Sequence, residues 1–212
     1  MKPPLVTPRE ASHAGVCRRQ RSRRCATLLA LLAMLVIGSA TASTPPLPGD
    51  SVYQLAVNLT NQDGKVQPLL ARRGRPQLVT MFYTSCTMVC PMILDTVKMT
   101  RNALDESARE RLDVLAISFD PARDDVATLR KYATTRKLDS RWWTLARTEP
   151  KDVRRLAALL QLQYRQLPDG EFNHSSELIL LDADGRVVAR TDVIGRQDPK
   201  FVDAVRQLLA RR

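Results

Sequence analysis

Cys86 and Cys90 lie four residues apart, with Pro91 directly after the second. The β-branched and aromatic run Leu78-Val79-Thr80-Met81-Phe82-Tyr83 before them reads as a buried central strand ending near Thr84. Proline is favoured in the first turn of a helix, where its missing N–H would lack a partner anyway. Cys90 is therefore expected at or near a helix N-cap, with Cys86 in the loop before it. The positive end of a helix favours thiolate over thiol, so both sulfurs are predicted at the exposed end of a strand-loop-helix turn with depressed pKa values. A pair at this spacing can close a disulfide, exchange with the disulfide of a client, or hold a soft cation between two thiolates. A purely structural disulfide is the plainer alternative. It would constrain the unfolded chain little across so short a loop, which favours a reactive pair.

Several elements must position this pair. Val52 to Leu59 alternates like a strand, and Asp63-Gly64 is a hairpin signal. Cys90 to about Glu110 has a helical pattern, and Leu112 to Phe119 reads as a second buried strand. Asp124 to Arg136 is an amphipathic helix, and Trp142 to Leu145 a short strand. Lys151 to Gln161 is a helix with Val153, Leu156, Leu159 and Leu160 on one face. Ser176 to Leu181 and Arg186 to Thr191 are strands around the turn Ala183-Asp184-Gly185, and Pro199 to Ala210 is a closing helix. This order predicts an α/β, thioredoxin-like fold: a central mixed β-sheet flanked by helices, with an N-terminal β-hairpin extension. In such a sheet the loop holding His174, just ahead of the strand Glu177 to Leu181, passes beside the cysteine loop. A lone histidine is more often a surface or core residue than a ligand, but this placement would bring two thiolates and one imidazole together.

The N-terminal segment sharpens the inventory of ligands. Arg18, Arg19, Arg21, Arg23 and Arg24 precede the apolar run Ala26 to Gly38 and the small residues Ala40-Thr41-Ala42. That describes a secretory signal peptide over 1–42, cleaved near Ala42, and hence an exported, periplasmic protein. The apolar run of 13 residues is short of the roughly 20 needed to cross a bilayer. Extension to Ser43 would let it serve as an uncleaved membrane anchor instead. Residues 43–49 form a Pro-rich linker, and 50–212 the domain. Of 33 Lys+Arg and 22 Asp+Glu, seven and one lie in the first 42 residues, so the net charge falls from +11 to +5 beyond them. The remaining basic residues are mixed with acids, which argues against nucleic-acid binding. Cys17, Cys25 and His13 also belong to the leader. The domain then holds two cysteines, one histidine and a few methionines as soft or borderline ligands. Thiolates select Cu(I), imidazole suits copper and zinc, and a closed zinc site would need a fourth ligand. Cys86, Cys90 and His174 therefore fit copper, as Cu(I), or as Cu(II) with a further weak ligand.

Three motifs in order then resemble those of the Sco/SenC family of copper chaperones. They are Phe82-Tyr83-Thr84 followed by Cys86-x-x-x-Cys90-Pro91; Ser118-Phe119-Asp120-Pro121-Ala122-Arg123-Asp124; and His174-Ser175 before a strand ending in Asp182-x-x-Gly185. The resemblance runs from about Asp50 to Leu209. It implies a thioredoxin-like fold, copper held by Cys86, Cys90 and His174, and delivery to the binuclear copper centre of a cytochrome oxidase. It further implies that Asp120 or Asp124 orients the site or its loops; read from the residues alone, both would cap the turn and the helix starting near Asp124. The chain departs from many relatives where Ser85-Cys86-Thr87-Met88 replaces His-Cys-Pro-Asp, which exchanges an acid for the thioether of Met88.

Two functions follow. The first is a copper-binding assembly factor without turnover, whose partners are an oxidase copper-centre subunit or another periplasmic copper protein near the membrane. The second is a thiol-disulfide oxidoreductase that uses the redox-active dithiol Cys86/Cys90 without metal, with a thioredoxin-like reductant as partner. A peroxidase-like or redox-sensing role ranks below both, because nothing beside Cys86 marks out an arginine or threonine pair for peroxide chemistry.

Overall fold

The computed structural model describes residues 45–211. The signal-peptide or anchor segment 1–42 and the first part of the 43–49 linker lie outside them. Among the described residues, no helix is long and apolar enough to cross a membrane.

Nine strands and five α-helices follow one another in this region. A seven-stranded sheet contains β1 (Asn58–Asn61), β2 (Val66–Pro68), β3 (Gln77–Phe82), β4 (Asp113–Ser118), β5 (Trp143–Arg147), β8 (Leu178–Leu181) and β9 (Val187–Thr191). The order across it is β2-β1-β5-β4-β3-β8-β9. β3, β4 and β5 run parallel, with Leu78 opposite Val114 and Val114 opposite Trp143. The remaining pairings are antiparallel. β3 is buried along its whole length, as an apolar run between two neighbours requires. Leu78, Phe82, Leu115, Ile117 and Leu178 are all sealed from solvent, each worth about 1.5–3 kcal/mol of apolar burial.

The helices are α1 (Val89–Asn102), α2 (Glu106–Arg109), α3 (Val126–Thr135), α4 (Pro150–Leu159) and α5 (Pro199–Ala210). In α1, Cys90, Ile93, Leu94 and Val97 recur at helical spacing and are buried. The long helix expected to about Glu110 is broken, because the Asp105 side chain accepts from Ala108 N–H at 2.8 Å and caps a new start. The expected strand over Val52 to Leu59 is also shortened. Val52–Gln54 forms a 3₁₀ turn capped by Ser51, which buries Tyr53 against Gly185 and leaves only Asn58–Asn61 as strand.

A second, two-stranded sheet is absent from the sequence-based expectation. β6 (Tyr164–Gln166) pairs with β7 (Phe172–His174), with Tyr164 opposite His174. His174 thus ends a hairpin strand and is not in a loop. The turn Pro168-Asp169-Gly170, with Gly170 at φ +84°, is the signal that marks it.

Candidate metal centre

The site sits where the parallel strands end. The chain leaves β3 at Phe82, turns through Thr84 and Ser85, and enters α1 at Val89. Cys90 is therefore in the first helical turn and Met88, not Cys90, is the N-cap residue. The turn is held by Asp124. Its carboxylate accepts from Thr84 N–H at 3.1 Å and from the hydroxyls of Thr84 and Ser118. Asp124 is buried, which pushes its pKa up against the lowering effect of the Ser118 and Thr84 hydrogen bonds.

Capping of α3 falls to the next residue: Asp125 accepts from Thr128 N–H at 2.7 Å. Asp120 has a different task. It pairs with Arg123, whose guanidinium also donates to the Gly170 carbonyl and lies 6.0 Å over the Phe172 ring. Both acids are thus tied to loops around the cysteines and histidine: Asp124 to the cysteine turn, and Asp120, through Arg123, to the hairpin carrying His174. The reading of both as simple caps gives way to this arrangement.

The Sγ atoms of Cys86 and Cys90 and a ring nitrogen of His174 all lie within 4.8 Å of one another. Both thiols are free. They are also buried, Cys86 at 7% exposure and Cys90 at 0%, so the expected exposure of the sulfurs is corrected. The expected common depression of their pKa values is corrected too. Burial pushes the Cys86 thiol up. Hydrogen bonds from Cys90 N–H (3.3 Å) and its side chain and from Met88 N–H outweigh that and bring it below the usual cysteine value. Cys90 is pushed up, first by burial and then by the charge and hydrogen bond of Cys86 and the charge of Asp124. The helix end acts on both, but its N–H groups converge on one sulfur.

His174 is oriented by its surroundings. Nδ1 lies 2.9 Å from the Ser175 carbonyl, which fixes the proton there and leaves the Nε2 lone pair 3.8 Å from Cys90 Sγ. Its ring lies 5.0 Å from Phe119 and edge-on to Tyr83 at 5.8 Å. Burial holds its pKa below the ordinary value, against the Ser175 hydrogen bond, so the ring is neutral near pH 7. Tyr83 closes the site on that side by donating to Glu171 Oε2 at 2.8 Å. Tyr83 and Phe119 fall inside the quoted motifs without a role assigned to their rings, and Tyr164 and Phe172, which complete the ring cluster, fall in none. Met88 is exposed.

Two thiols and one neutral imidazole in a nearly dry pocket form a donor set that suits a monovalent soft ion, since two thiolates balance its charge and leave one excess negative charge near a helix N-terminus. The same two thiols, so close together, could also be oxidised to a disulfide.

A model of the SCO1/SenC family matches residues 49–210. An SCO2-like protein of Rickettsia typhi is 27% identical over 175 residues, covering 73% of this chain and 84% of its own. Among solved structures, ScoI of Bradyrhizobium japonicum with copper bound superposes with a TM-score of 0.60 at 24% identity, over 73% of this chain and 98% of that one. BsSco, described as a member of the Sco family of cytochrome c oxidase assembly proteins with a disulfide switch, gives 0.62 at 21% identity, over 74% and 94%. These likenesses carry the thioredoxin-like fold.

Proposed function

Because the chain belongs to the SCO1/SenC family, we propose that it binds one copper ion through Cys86 Sγ, Cys90 Sγ and His174 Nε2 and delivers it to the copper-centre subunit of a respiratory oxidase or to another exported copper protein. The observation that carries this is the convergence of the three soft donors, with the histidine tautomer already set for Nε2 to bind. The copper-bound ScoI relative and the oxidase-assembly description of BsSco support it. Export across the inner membrane, by a leader over 1–42 that is either cleaved or kept as an anchor, places the site where such clients mature.

The geometry suggests how loading proceeds. Cys86, whose thiolate is already favoured, takes the ion first. Cys90 then gives up its proton as the ion replaces it, and His174 closes the third position without releasing a proton at Nε2. Asp124 keeps the cysteine turn in place while the ion changes hands. Loss of the ion returns a reduced dithiol.

The test is transfer. Reduced protein loaded with one equivalent of Cu(I) is mixed with a metal-free oxidase copper-centre domain, and the copper is followed to the client. Transfer from wild type and none from Cys86→Ser or Cys90→Ser is the expected result. A protein that reduces the client's disulfide without metal, yet passes no copper, would sustain the oxidoreductase reading instead. The low Cys86 pKa beside a second thiol is what favours that alternative.

A further inference from the structure

The thiols are buried, so an ion approaching from the helix side must first meet something else. Of the four methionines between residues 45 and 211, Met81 is sealed inside β3 and Met99 lies toward the far end of α1. The other two, Met88 and Met92, stand at the start of α1, on either side of Cys90 in sequence. Met88 is 79% exposed and Met92 46% exposed. The motif therefore alternates as Cys86-x-Met88-x-Cys90-x-Met92, buried thiol against exposed thioether.

Met88 has φ −109° and ψ −78°, close to helical, so it continues the row of Met92 one turn later. Side chains four apart on a helix have Cβ atoms about 5–6 Å apart, within reach of one ion for two flexible thioether arms. Met92 is also steered. Its ε-methyl lies 2.8 Å from where a Cβ on Gly195 would stand, so the glycine at φ +84° gives it room, and Gly195 N–H is tied to Thr96 Oγ1 at 2.8 Å. The first turn of α1 carries no acid. The exposed start of α1 therefore presents two thioethers, with no carboxylate in its first turn to retain a hard divalent ion.

We infer that Met88 and Met92 form an outer Cu(I)-binding pair that receives the ion before Cys86, Cys90 and His174 take it. This rests on the copper reading above. Two neutral thioethers beside the positive end of a helix hold a cation weakly, which suits transit and not storage. Cys90 is two residues from each methionine and so lies around the helix from their row. The ion therefore moves past the helix end, through Cys86. In that exchange the bonds to two thioether sulfurs break, and bonds to two thiolates and one imidazole nitrogen form. The two thiol protons leave to water, and copper stays Cu(I) throughout.

The test uses the full chain with ¹³C-methyl methionine. In Cys86→Ser/Cys90→Ser protein, titration with Ag(I) as a redox-inert probe should shift the Met88 and Met92 ε-methyl signals together, saturating at one ion, and Met88→Leu should abolish the Met92 shift. In protein with both cysteines, Met88→Leu/Met92→Leu should take up Cu(I) from a weak chelator several-fold more slowly, with the final stoichiometry unchanged. Unmoved methyl signals, or an unchanged loading rate, would overturn the inference while leaving the thiolate site standing. Failure of wild type to bind Cu(I) at all would instead overturn the copper reading, a result the methyl shifts alone cannot produce.

Discussion

Cys86 and Cys90 have the same chemistry and different surroundings. N–H groups from Cys90 and Met88 point at the Cys86 sulfur, whereas Cys90 lies deeper and faces the negative charge of its partner and of Asp124. The consequence is an ordered reactivity. In reduced, metal-free protein, iodoacetamide near pH 7 should modify Cys86 and largely spare Cys90. The rate should rise with pH to a midpoint below the usual thiol value of about 8.5, because a lowered pKa means thiolate is already present at lower pH. Peptide mass analysis after short labelling over a pH series measures this. Preferential labelling of Cys90 would mean that the helix-end N–H groups do not favour Cys86. This asymmetry was not legible in the spacing of the two cysteines, because it depends on which sulfur the folded turn brings to the N–H groups.

At the scale of elements, the site is assembled by three pieces of chain that do not share a strand: the turn between β3 and α1, the segment from Ser118 to Asp124 after β4, and the hairpin of β6 and β7. Asp124 joins the first two through its bonds to Thr84 and Ser118. Asp124→Asn keeps the size but offers an amide N–H₂ where three donors already point. One or more of them loses its acceptor in a buried place, at about 1–3 kcal/mol. The variant should unfold at lower urea by that amount and bind Cu(I) more weakly. Unchanged stability would show that Asp124 does not hold the turn. Much of the elements' order could be read from sequence. Pro199 after Asp198 marked the last helix at its observed bounds, and Asp182-Ala183-Asp184-Gly185 marked the hairpin of β8 and β9. The hairpin under His174 could not be separated from a loop, since its strands have three residues each and no fully buried side chain to pattern them. Adjacent acids were equally ambiguous: Asp125 caps α3 and Asp124 turns inward, a division that packing alone decides.

For the molecule as a whole, the sheet supplies rigidity and its end supplies chemistry. The parallel strands β3, buried throughout, and β4, buried from Val114 on, fix where the cysteine turn and the Asp120–Asp124 loop begin. Ligand sites in sheets of this kind gather outside the carboxyl ends of parallel strands, and the donors here do the same. The hairpin hangs beside that end, tied by Arg123 to Gly170 and by Tyr83 to Glu171, so the third donor can be displaced without opening the core. If Cys86, Cys90 and His174 act together as one copper site, X-ray absorption of the reduced protein with one equivalent of Cu(I) shows two sulfur neighbours and one nitrogen neighbour, and in His174→Ala the nitrogen is lost and affinity sharply reduced. A first shell of sulfur alone, or affinity unchanged by His174→Ala, would contradict it.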